Sequence, residues 1–167
     1  MTAQAPALCI RAAACTDLPA LVALDSVAAH DTRRAVQIGQ WLADGHMHVA
    51  ELDGRLAGYR VQHRHFFGEA FIEMLMVAAP LRRHGIGRAL LLHATSRNEG
   101  ARLFSSTNQS NTRMQRLLAA AGFVQCGIVH GLDEGDPELI YRFAAGDARQ
   151  GATFASSSAI NAGSMQR

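Results

Sequence analysis

The sequence predicts an α/β (α+β) chain, with a mixed, mostly antiparallel central sheet of about seven strands flanked by about four helices. Three observations predict it. Asp53-Gly54 is a two-residue hairpin turn between alternating stretches at 47–52 and 56–66. A strand at 70–77 runs into a basic, glycine-bearing turn and then a helix. The helix requires the next strand, 102–107, to lie parallel to the one at 70–77.

In order, Leu8 to Ala12 forms a short first strand. Thr16 caps a helix to about Ala29, with Leu18, Leu21, Leu24 and Ala28 as its inner stripe. Ile38, Trp41 and Leu42 share one face of a second helix, Arg34 to Ala43, which Gly45 ends. The hairpin follows, and Gly68 turns the chain into the strand at 70–77. There Phe71, Glu73, Leu75 and Val77 lie on one face and Ile72, Met74 and Met76 on the other. Both faces are mainly apolar, which places this strand centrally. Pro80 ends it. The next helix, Ile86 to about Arg97, turns Ile86, Leu90 and Ala94 inward and stops at Gly100. After the strand at 102–107, Thr112 and Gln115 fit a capping box for a helix with the stripe Met114, Leu117, Leu118 and Ala121, and Gly122 follows as its C-terminal cap. Phe123 to Val129 and Glu138 to Phe143 are the last two strands, the latter closing the sheet. Residues 1–145 form one domain; 146–167 lose all periodicity, turn to Gly, Ala, Ser and Gln, and read as a disordered tail.

The turn Arg82-Arg83-His84-Gly85-Ile86-Gly87, with Arg88 beyond it, has the chemistry of an anion site. A helix start presents unpaired N–H groups and the positive end of the dipole. Glycines let an oxyanion approach the backbone, and arginines add fixed charge. The same residues also suit a solvated basic turn.

Composition narrows the function. The chain has 167 residues and a formal charge of +2, so nothing global points to nucleic acid. No apolar run suits a membrane span, and no secretory leader is legible, so a cytoplasmic location is expected. Cys9, Cys15 and Cys126 have no metal spacing and read as reduced core residues. The eight histidines lack H-E-x-x-H, and no metal is expected. The early hairpin and the lack of G-x-G-x-x-G make a dinucleotide-binding fold a poor third option.

The element order, joined to Arg82-x-x-Gly85-x-Gly87 and to Asn111-x-x-Met-x-x-Leu-Leu-x-x-x-Gly122-Phe123, resembles the GCN5-related N-acetyltransferases, the GNAT superfamily, over residues 8–144. The resemblance implies a sheet splayed between strands four and five, and transfer of the acetyl group of acetyl-CoA to an amine. It implies that the backbone of Leu75 and Val77 holds the pantetheine arm, with the Leu75 N–H at the thioester oxygen. The pyrophosphate then rests on Arg82, Arg83, His84, Gly85, Ile86, Gly87 and Arg88, and Asn111 lies near the pantetheine. The implied acceptor is an amine of a small molecule or peptide. Edge strands that need covering make a homodimer an expectation.

An attacking amine must lose a proton, and the oxyanion it creates needs donors. Glu73, the one ionisable side chain on the central strand, is the expected base, partly buried between Phe71 and Leu75. It could instead pair with Arg60 or His63. His63 and His65 share a face and either line an acceptor pocket or face solvent. The turn acids Asp133, Glu134 and Asp136 either attract a cationic amine or are solvated. The sequence departs from the family at Leu118, where many members have a tyrosine that protonates the departing thiolate. Tyr59, Ser105, Ser106 and Tyr141 are the substitutes on offer. Without one, the thiolate leaves unassisted or the protein is a non-catalytic acyl-CoA-binding module.

Overall fold

The structure, a computed structural model, describes residues 7–98 and 101–144. Its elements are β1 (Leu8–Ala12), α1 (Leu18–Leu24), α2 (Thr32–Ala43), β2 (Met47–Leu52), β3 (Arg55–Phe66), β4 (Glu69–Val77), α3 (Ile86–Ser96), β5 (Leu103–Asn108), α4 (Thr112–Ala120), β6 (Phe123–Val129) and β7 (Glu138–Phe143). The strands form one sheet in the order β1-β2-β3-β4-β5-β7-β6. Among the described residues only β4 and β5 pair in parallel, as a helical crossover requires. The expected final strand does not close the sheet: β7 lies between β5 and β6, which leaves β6 at the edge.

Helices cover both faces. On one, Leu21 of α1 and Ile38, Trp41 and Leu42 of α2 bury Met47, Val49, Tyr59 and Val61. On the other, Ile86 and Leu90 of α3 pack with Ala50 and Ala57, while Leu91, Ala94 and Leu118 pack with Ile72, Leu103, Leu139 and Tyr141. Gly58 makes the second layer possible: a Cβ there would stand 2.6 Å from the Met76 carbonyl oxygen.

Several boundaries differ from the sequence expectation, each for a local reason. The first helix stops at Leu24 because the Asp25 carboxylate accepts the N–H groups of Val27 and Ala28 and turns the chain. Thr16 does not cap it; Asp17 instead accepts the Ala14 N–H and pairs with Arg11. The second helix begins earlier, at Thr32, capped by Asp31. The cap of α4 is Asn111, whose side chain accepts the Met114 N–H, while Gln115 donates to the carbonyls of Asn108 and Gln109. All three cysteines are free and exposed, not core, because they lie on edge strands or in the turn before α1. Gly100 and the tail at 146–167 lie outside the described residues.

One difference bears directly on the site. In the β3–β4 ladder Met74 pairs with Val61 and Ile72 with Gln62, so Glu73 is the extra residue of a β-bulge. The alternation slips by one at this point. Ile72, Leu75 and Val77 all pack toward the α3 side, while Met74 and Met76 pack beneath α1 and α2. Glu73 therefore does not share the face of Leu75 that strict alternation assigns it.

Candidate active site

The site begins where β4 loses its parallel partner. Pairing with β5 covers only Ala70 to Ile72, and at its end the Ser105 hydroxyl donates to the Ile72 carbonyl at 3.0 Å. Beyond that point the two strands diverge, as the splay requires. The Ala78 N–H donates to the Ala57 carbonyl on β3, which sets the phase of the strand. Residues 76 and 78 therefore address β3, and Leu75 and Val77 turn their polar backbone groups to the gap. The Val77 carbonyl already receives Arg82 Nε at 3.3 Å.

The gap opens into a cavity of about 560 Å³ between β4, the loop before α3, and α4. Leu75, Met76 and Val77 form one wall, Leu81 to Arg83 and Gly85 to Arg88 the second, and Asn111, Arg113, Met114 and Leu117 the third. Among the described residues its walls hold four arginines and no carboxylate. The helix start at its centre has no side-chain cap, so its first N–H groups are available to a ligand. The two glycines have different duties. Gly85 adopts φ 79°, a conformation costly for any other residue, with nothing within 4 Å of the point where a Cβ would stand. Gly87 eases the packing of α3 on α4, since a Cβ would come within 3.1 Å of Leu117 Cδ2 and the leucine would have to shift. An elongated acyl donor with an apolar arm and a phosphate end fits this set of residues.

Of the residues expected at this site, Leu75, Val77, Arg82, Arg83, Gly85, Ile86, Gly87, Arg88 and Asn111 all line the cavity. His84 does not: its exposed ring meets the Arg82 carbonyl through Nδ1 at 3.0 Å. Asn111 uses its oxygen as the cap of α4, which leaves its amide group for a ligand. Arg113 was not expected. Its signal was present in the sequence: a cation in the first turn of a helix opposes the dipole, and no acid stands there to offset it.

Glu73 lies outside this cavity, on the opposite face of β4. Its side chain is 36% exposed, so the burial expected of it is not found, and it meets His63 Nε2 at 3.3 Å. His63 Nδ1 accepts the His65 N–H at 3.1 Å, so the neutral ring holds its proton on Nε2, toward Glu73. Burial holds His63 below the usual histidine range, against the pull of Glu73. The rings of His63 and His65 stack at 4.7 Å, and Phe71 packs on His63 at 5.6 Å.

None of the expected acid substitutes lines the cavity. Tyr59 is buried and donates to Asp25, Ser105 bonds to Ile72, and Tyr141 lies in the core, where burial raises its hydroxyl. Leu118, at the tyrosine position, is fully buried between α4 and the β6–β7 pair. Of the turn acids, Asp133 accepts from Asn108 and Asp136 from Ser110, so both fasten the β6–β7 turn to the end of β5.

Residues 16–123 match the sequence profile of the acetyltransferase (GNAT) family. No curated protein matches the chain. Among solved structures, an acetyltransferase of the GNAT family from Bacillus cereus is 32% identical over 81% of this chain and 96% of its own, with a TM-score of 0.76. A ribosomal-protein-alanine N-acetyltransferase from Brucella melitensis is 26% identical over 80% of this chain and 98% of its own, with a TM-score of 0.64. The chain is also similar in fold to a Bacillus anthracis protein solved with acetyl coenzyme A, at 20% identity over 58% of this chain and 60% of that one, with a TM-score of 0.53.

Proposed function

The chain belongs to the acetyltransferase (GNAT) family, and from that premise we propose that it moves the acetyl group of acetyl-CoA to a primary amine of a small molecule or peptide, by direct attack in a ternary complex. Acetyl-CoA, the family's acyl donor, supplies an activated thioester. The observation that supports this reading best is the pairing of two features: the unzipped half of β4 and the arginine-lined cavity it opens into. The likeness to a ribosomal-protein-alanine N-acetyltransferase supports an amine as the nucleophile.

In this reading the residues divide the work by face. Arg82, Arg83, Arg88 and the first N–H groups of α3 hold the pyrophosphate. Val77 and Asn111 hold the amide-bearing arm. The Leu75 N–H points to where negative charge gathers during attack. Glu73, across β4, takes the amine proton through a water, and the His63 Nε2–H fixes its carboxylate. The bulge gives this arrangement its physical basis, because it turns Glu73 to the face opposite the donor cavity. The cavity lining offers no acid for the thiolate, whose ordinary pKa of about 8.5 lets it depart and be protonated by water.

The test is a panel of amines with thiol release as the readout. Glu73→Gln is expected to lower kcat by about 10²–10⁴-fold with donor affinity unchanged. A fall of less than about threefold removes Glu73 from the chemistry. Tight binding of acetyl-CoA with no turnover on any amine favours the second reading, a non-catalytic acyl-CoA-binding module, for which Leu118 in the tyrosine position is the specific observation.

A further inference from the structure

We propose that the acceptor is a primary amine that carries an aromatic ring, and that the uncovered sheet face beside Glu73 seats this ring on Phe66, Phe71 and Phe104. This deepens the acetyltransferase reading above and rests on it. The first argument is where the side chains lie. His63 pairs with Phe71 across β3 and β4, and Phe71 with Phe104 across β4 and β5, so the three share one sheet face. The bulge turns Glu73 to the same face, where its carboxylate meets His63. The helices leave this part of the sheet open. α1 and α2 pack on β2, on β3 and on Met74 and Met76 of β4, while α3 and α4 pack on the opposite face. Among the described residues, Phe66, Phe71 and Phe104 belong to none of the three hydrophobic cores, and all three are half-buried. They form an apolar surface next to the base that a bound substrate finishes burying.

The second argument is the order of the rings and of the charges. From His63, which meets Glu73, the rings run to Phe71 at 5.6 Å, to Phe66 at 4.9 Å and to Phe104 at 5.1 Å. These spacings lie in the range of favourable aromatic pairs, about 4.5–7 Å, so the ladder offers an aryl group the same kind of contact. An apolar patch alone would take any alkyl amine; the run of rings is what favours an aromatic one. The charges stand at opposite ends of the ladder. Glu73 is at the His63 end, and Arg142 pairs across from Phe104 at the other. A cationic amine is drawn to the first and repelled by the second, which sets the nitrogen at Glu73 and the ring over the phenylalanines. Burial lowers the His63 pKa, which keeps the ring neutral near pH 7 and leaves the carboxylate's charge uncancelled.

Acetylation of 2-phenylethylamine, 2-cyclohexylethylamine and ethylamine by the full chain tests this, with thiol release as the readout and rates counted per unprotonated amine. For 2-phenylethylamine, kcat/KM is expected to exceed that of ethylamine by at least about tenfold, from burial of the ring. It should exceed that of 2-cyclohexylethylamine by about threefold, from ring–ring contact. Phe104→Leu and Phe66→Leu should each lower the phenyl-over-cyclohexyl ratio to nearly one, a change that a general loss of stability or of donor binding does not produce. Leu132→Ser, exposed in the β6–β7 turn and outside the ladder, should leave the ratio as it is. Equal kcat/KM for all three amines, or a ratio that neither phenylalanine variant moves, overturns the aromatic seat and leaves the acetyltransferase reading standing. A dimer that Phe104→Ser dissolves also overturns the seat, because a second copy then covers the face. Tight binding of acetyl-CoA with no turnover of any amine overturns the acetyltransferase reading and the seat with it.

Discussion

Asp25 is the residue whose weight the sequence conceals. It reads as one more polar position inside the first helix, yet it is 1% exposed and binds four donors: the N–H groups of Val27 and Ala28, Arg34 Nε and the Tyr59 hydroxyl. Burial pushes its pKa up, but the bonds from Tyr59, Arg34 and the two amides outweigh that and hold it below the usual carboxylate value. Arg34 in turn lies over Trp41 and reaches the Met74 sulfur, so the network ties the α1–α2 connection to β4 one residue past Glu73. Removing the carboxylate strands a buried guanidinium and a buried hydroxyl. Asp25→Ala is expected to cost about 3–5 kcal/mol in urea unfolding, and an apolar replacement of Asp25 and Arg34 together should recover part of it. A single-variant loss under about 1 kcal/mol would mean that water already satisfies the pair.

At the scale of elements, β4 decides the site. Its C-terminal half must stay paired with β3 on one side and unpaired on the other. Gly58 is where β3, β4 and α3 come closest: a side chain there meets the Met76 carbonyl at 2.6 Å and Ile86 Cγ2 at 3.3 Å. The first contact is backbone and cannot swing away. Gly58→Ala is therefore expected to destabilise the fold by about 2–3 kcal/mol. It should also weaken donor binding, because β4 can relieve the clash only by moving Leu75 and Val77. A stability equal to that of the parent, with unchanged donor affinity, would show that the strands part freely. Gly87 makes the useful contrast, since the atom its Cβ would meet, Leu117 Cδ2, is the end of a flexible side chain.

At the scale of the whole molecule, stability is tied to pH through a buried basic cluster. Arg60 is 2% exposed; burial first, then Arg97, lowers it to about 10, and its Nε has no partner among the described residues. The rings of His48 and His93 lie beside it, tilted by 51° with their centroids 5.1 Å apart. Burial, followed by the charges of Arg60, His93 and Arg97, lowers His48 to about 4, and burial lowers His93 in the same direction. The unfolded chain takes up these protons near pH 6.5, and the folded chain takes up that of His48 only near 4. Between those values the unfolded state binds more protons, so stability is full above about pH 6.5 and declines as the pH falls toward 4. Melting temperature against pH should show this slope. His48→Phe, which keeps a ring against His93, should flatten part of it; an unchanged profile would assign the acid loss to other groups.

Beyond Leu75, Val77 and Asn111, which the family resemblance supplied, the sequence by itself determined the strand and helix order, the turn before α3, and the cavity wall that this turn forms. These depend on local chemistry: hydrophobic period, turn residues, and the rule that a helical crossover joins parallel strands. The tertiary structure decided what depends on pairing between distant segments. The run at 69–77 alternates acceptably whichever residue is extra, and only registry with β3 makes Glu73 the bulge and turns it from the face of Leu75 to that of His63. The place of β7 between β5 and β6 follows from which strand edge is free to pair, and His84 points out of the cavity because its ring finds the Arg82 carbonyl. Asp25 was invisible for the same reason, since its partners lie up to 34 residues away. Arg113 is the intermediate case: its unfavourable place against the helix dipole was legible, but only the convergence of α4 on the start of α3 set it in the cavity wall.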